Sequence, residues 1–213
     1  MASSLAKHRE ANPGKEFQRG VIFSFWSGEE LGLIGSARYP AKPTVNLSNV
    51  IAYLNFDMVG RLRDNKLTLQ GVGSSSAWKK LIERRNVLPG FDLTLQQDPY
   101  LPTDTTSFYP KGIPVLAWFS GSHKEYHRPS DDTATLNFEG SSASRSSPGT
   151  WCAIGPKGGG DRPDYLKVEK SNQGGDRDAI RVYLGTIPDY ASEDVKGVFS
   201  PACAAAAQPT RRG

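Results

Sequence analysis

VIFSFWSGEELGLIGS, residues 21–36, runs six largely apolar residues into two adjacent carboxylates, Glu29 and Glu30. The run over 20–26 is rich in β-branched and aromatic residues and predicts a strand buried on both faces. Like charges side by side repel, and burying ions unpaired is costly. Two acids at the end of such a strand therefore call for a compensating charge, and a metal ion is the leading candidate.

Outward from this stretch, strands and helices alternate. Residues 31–39 predict a short helix stopped by Pro40. Residues 49–57 read as a second buried strand ending at Asp57, and 65–73 alternate like a more exposed strand. Residues 74–87 form an amphipathic helix with serines at its start. A short strand over 91–96, a capped helical turn over 103–112 and a buried strand over 112–119 follow. Strands alternating with helices predict an α/β fold, a mostly parallel sheet flanked by helices in an α/β/α sandwich.

After Gly140 the texture changes. Residues 141–160 are heavy in Ser, Gly and Pro without periodicity and read as a linker or disordered segment. Strand-like pieces resume over 161–199, and 200–213 read as a disordered tail. The chain has 213 residues, of which 37% are hydrophobic and 10% aromatic, enough for a core. Net charge of +4 and a pI near 9.0 come from interspersed charges. They describe a solvated surface rather than a nucleic-acid footprint. No apolar run approaches the roughly 20 residues needed to span a bilayer. The first residues lack the apolar stretch of a signal peptide. Cys152 and Cys203 match no metal-binding spacing, and nothing in the sequence assigns a compartment.

Ligands of open α/β sheets bind at the carboxyl ends of strands. Here one strand delivers Glu29 and Glu30, another Asp57, and the strand ending at Phe119 leads to His123 and His127. Carboxylates with imidazole suit zinc or a similar divalent ion, and one Glu could ligate while the other remains free as a base. Other readings are blander. His123 and His127 stand four apart, but HKEYH carries Lys124 where a zinc helix has Glu, so His123 reads as an outer or surface residue. Asp131 and Asp132 suit capping of the next turn. Trp26, Trp78 and Trp118 suit packing, and Ser27 lacks the elbow pattern of a serine hydrolase.

Four motifs stand together in one order: FWSGEELGLIGS (25–36), AYLNFDMVGR (52–61), PTDTTSFYPKGIPVLAWF (102–119) and HKEYHRPSDD (123–132). In these the chain resembles the zinc-dependent aminopeptidases with two co-catalytic metals (peptidase family M-twenty-eight), over roughly residues 5–140. The resemblance implies hydrolytic removal of N-terminal residues from peptides. It makes Glu29 the general base, Glu30 and His127 ligands of one zinc, Asp57 a ligand of the other, and Asp104 a residue that shapes the site. The family pattern also holds a His and a bridging Asp upstream of the Glu pair. Residues 1–19 contain His8, which reads as a surface residue, and no Asp. The sequence is thus expected to be an N-terminally truncated catalytic domain with an incomplete site. RVYLGTIPDYASEDVKGV (181–198) resembles part of a PDZ domain, implying peptide C-termini as possible partners. Two alternatives stay open: glutaminyl-cyclase-like acyl transfer on the same fold, and a non-catalytic peptide-binding module.

Overall fold

Four strands build the sheet of the larger unit: β1 (Tyr53–Phe56), β2 (Lys66–Gln70), β3 (Asp92–Leu95) and β4 (Val115–Phe119), in the order β1-β4-β2-β3. β1 runs parallel to β4, with Tyr53 beside Val115 and Phe56 beside Trp118. β2 is parallel to β3 and antiparallel to β4, with Leu69 opposite Trp118. The sheet is therefore mixed, with two of its three pairings parallel. β4 is central and its residues Val115 to Trp118 are buried, as a continuous apolar run requires. β2, the other interior strand, alternates, burying Leu67 and Leu69 while Lys66 faces water.

The computed structural model describes residues 20–140 and 162–169, with Lys7, Glu10 and two short strands at 186–187 and 202–203. The chain divides into two units, Met1–Lys170 and Ser171–Gly213. In the first, helices α1 (Ile34–Ala41), α2 (Ala77–Asn86) and α3 (Thr105–Phe108) cover the sheet. Successive residues of a strand point to opposite faces. Leu116 and Trp118 accordingly join one cluster with Leu69, Trp78 and Ile82, and Val115 joins another with Phe108 and Tyr109. α2 packs on the first face through Trp78 and Ile82, one turn apart, while Lys79, Lys80 and Glu83 are exposed. The three tryptophans within the described residues pack as the sequence indicated: Trp78 and Trp118 are buried, and Trp26 lies against Tyr39 and Phe108.

Two expectations are corrected. Residues 20–26 form no strand. An extended run becomes a strand only when a neighbour takes its N–H and C=O groups, and edge strand β1 pairs with β4 alone. Val21, Ile22, Phe23 and Phe25 are consequently exposed, Phe25 by 94%. Only Trp26 is anchored, its indole donating to the Tyr53 hydroxyl at 3.0 Å. Pro40 does not stop the first helix, which continues to Ala41. In the last turn a proline forfeits a single bond, and the Lys42 N–H closes the end on the carbonyls of Arg38 and Tyr39.

Residues 162–169, which the sequence grouped with the segment after the linker, are tied into the first unit. Arg162 donates to the carbonyls of Ser48 and Val50 at 2.7 and 2.9 Å. The Tyr109 hydroxyl donates to the Leu166 carbonyl and accepts from the Val168 N–H, at 2.8 and 2.7 Å. In the second unit, β5 (Thr186–Ile187) pairs antiparallel with β6 (Ala202–Cys203), the latter falling within the stretch read as a tail. The proposed linker and most of the PDZ-like stretch lie outside the described residues, as does His8.

Candidate metal centre

β1 and β4 are parallel neighbours, so the loops that follow them leave the same edge of the sheet. Asp57 is the first residue after β1, and its N–H donates to the Trp118 carbonyl at 3.4 Å. Met58 follows with φ of 49° and turns the chain. On the other side, Ser120 to Asp131 lead away from β4 and carry His123 and His127.

The two glutamates reach this edge without a strand behind them. Gly28 and Gly32, with φ of 67° and 105°, fold 27–35 into a turn in which Gly35 donates to Ser27 and Ile34 to Gly28. Any L side chain at Gly28 would be strained, and its Cβ would meet Ile34 at 3.2 Å. The turn leads straight into α1. There the buried Ser36 hydroxyl lies 3.0 Å from that of Ser107 on α3, the helix whose N-terminus is flanked by Asp104. Glu29, Glu30 and Asp104 are thus delivered together by one helix–helix contact.

His127 Nε2 lies 3.0 Å from Glu30 Oε1, joining residues 97 positions apart. Glu29 is pushed up to about 7, first by burial and then by the charges of Glu30, Asp57 and Asp104. Asp57 is raised as well, by burial, Asp104 and Glu30, against an opposing bond from the Met58 backbone. Asp104 is 8% exposed, and its buried Oδ1 has no hydrogen-bond partner. The sequence-predicted residues are thus brought to one edge: Glu30 touches His127, Glu29 feels the charges of Glu30 and Asp57, and Asp57 that of Glu30.

His123 is not a surface residue. Its side chain is 6% exposed, with Nδ1 3.7 Å from Glu125 and Nε2 3.6 Å from Asp131. Asp132 caps the turn Thr133–Thr135 as expected, whereas Asp131 turns to Arg61 at 2.5 Å. Arg61 and Ser120 were not singled out by sequence reasoning. Arg61 does stand inside the AYLNFDMVGR motif, which was the available signal.

The donor set suits a divalent cation. Two ligands held at about 2.1 Å in tetrahedral geometry stand about 3.4 Å apart, close to the Glu30–His127 separation. Glu29 and Asp57, both raised by burial and by neighbouring carboxylates, are groups whose charged forms a bound cation would stabilise. Among the described residues, however, no three His, Cys, Asp or Glu side chains stand close enough to hold one ion.

Comparison with known proteins bears on the fold and the family. A probable leucine aminopeptidase 2 of Aspergillus oryzae is 27% identical over 158 residues, covering 57% of this chain and 30% of that protein. The zinc aminopeptidase BSAP of Bacillus subtilis superposes with a TM-score of 0.50 at 23% identity, covering 67% of this chain and 37% of that one. At that identity the superposition speaks for the fold alone. The chain spans about a third of the length of these relatives. The sequence pattern of one family matches residues 1–146, which include the whole Glu29–His127 edge. With more than half of its length inside that match, the chain belongs to peptidase family M28.

Proposed function

We propose that this chain carries part of a zinc-dependent aminopeptidase site, which removes N-terminal residues from peptides. Glu29 serves as general base, Glu30 and His127 hold one ion, and Asp57 contributes to a second. The observation that carries this reading is the Glu30–His127 contact of 3.0 Å beside a glutamate raised to about 7. Zinc, when bound, lowers the pKa of water and polarises the scissile carbonyl. A carboxyl group poised near neutrality can take a proton from the attacking water and return it to the leaving amine. Asp104 is among the residues that raise Glu29, after burial, Glu30 and Asp57.

Catalytic zinc ordinarily has three protein ligands, and Glu30 with His127 supply two. The 213-residue chain is therefore expected to bind zinc weakly and to release little product from an aminoacyl chromophore. Zinc titration by calorimetry, with metal analysis, tests the assignment. Glu29→Gln should keep the wild-type affinity, whereas His127→Ala and Glu30→Ala should lower it by at least about tenfold. Loss of zinc from Glu29→Gln alone would mean that the two glutamates have exchanged roles. Ammonia release from a peptide with N-terminal Gln would favour acyl transfer over hydrolysis.

A further inference from the structure

The two loops that carry Asp57 and His127 are bolted to each other by residues that belong to neither ligand set. Ser120, at the end of β4, is 7% exposed. Its N–H donates to the Met58 carbonyl at 3.2 Å, and its hydroxyl donates to the same oxygen. That hydroxyl also accepts the Arg61 N–H at 3.2 Å. The Arg61 side chain then reaches into the second loop, 2.5 Å from Asp131 and 3.6 Å from Glu125. Both acids flank the buried His123 imidazole. Arg63 adds a bond to the Ser122 carbonyl at 2.5 Å.

The backbone needs this support. Met58 has φ of 49° and His127 φ of 57°, left-handed conformations that side-chain-bearing residues adopt only when their surroundings hold them. One follows Asp57 directly and the other is the candidate ligand. The Arg61 side chain is 13% exposed, so its ion pairs with Asp131 and Glu125 are partly buried ties between the two loops.

We propose that Arg61 and Ser120 are positioning residues that lock the loop after β1 to the loop after β4 and so fix His127 relative to Asp57. The consequence for metal binding rests on the zinc reading given above, but the coupling itself is a property of the metal-free chain. Nitrogen-edited NMR of the imidazoles reads it directly, because the chain has three histidines, His8, His123 and His127. In zinc-free protein at one pH, Arg61→Met and Ser120→Ala should shift or broaden the His127 signals. The indole signal of the buried Trp78 should stay in place. Asp131→Asn keeps an acceptor for Arg61 and should leave His127 closer to wild type. Zinc affinity should fall with the displaced signals. His127 signals that coincide with wild type in both latch variants would overturn the proposal. Should Arg61→Met lose the Trp78 signal through unfolding, Ser120→Ala decides, since it removes a single hydroxyl. Zinc that leaves the wild-type His127 signals unmoved would overturn the metal reading and not the latch.

Discussion

Glu29 stands among Glu30, Asp57 and Asp104, and its proton is held more tightly in the folded chain than in the unfolded one. A carboxyl raised from 4.5 to about 7 binds more protons when folded throughout that interval. Its contribution to stability is therefore complete below pH 4.5 and is lost as pH rises through about 7. Asp57, also raised, acts in the same direction. Denaturant melts of zinc-free protein should show stability declining across this window, and Glu29→Gln should flatten the decline. A stability that rises with pH there would show that the carboxylates are not crowded. The neighbouring acids Asp131 and Asp132 show what a residue's sequence context leaves open. Asp132 caps the turn one residue on, a local event. Asp131 is held low by its bond to Arg61, 70 positions away.

At the scale of elements, α2 illustrates how distant chain completes a helix. Its apolar spacing at Trp78 and Ile82 predicts the buried stripe, and its serines suggest a cap. Yet Ser76 makes no side-chain cap bond of its own. The carboxylate of Asp164 accepts from the Ser76 N–H at 3.0 Å and from the hydroxyls of Ser75 and Ser76. Negative charge is favourable at this helix end. Asp164→Ala should cost about 1 kcal/mol, as loss of a capping side chain does. It should also loosen residues 162–169, read as faster amide exchange at Leu166, whose N–H donates to the Ser74 carbonyl. Unchanged exchange at Leu166 would mean that Arg162 and Tyr109 hold this strap without the cap.

For the molecule as a whole, the exposed apolar run at 21–25 beside a sheet edge is the chief liability. Unpaired strand edges and apolar patches promote association. Concentration-dependent light scattering should detect it, and Phe25→Lys should reduce it; scattering that stays monomeric at high concentration would refute this. Apart from Glu29 and Glu30, which arrive on a glycine turn with no strand behind them, the succession of β1 to β4 along the chain, the amphipathic α2 and the delivery of Asp57 and His127 by two neighbouring strands were legible in the sequence. They depend on local periodicity and on the rule that parallel strands share an edge. What only the tertiary structure decided concerns partners. The run over 20–26 has every local mark of a buried strand, but a ladder takes two chains, and β1 does not pair with it. His123 reads as an outer or surface residue in HKEYH, and the structure decides against the surface: its imidazole is buried between Glu125 and Asp131, the acids that also meet Arg61. Local pattern determines what a segment is able to form; which neighbour supplies the missing hydrogen bonds or charge is settled only when distant segments meet.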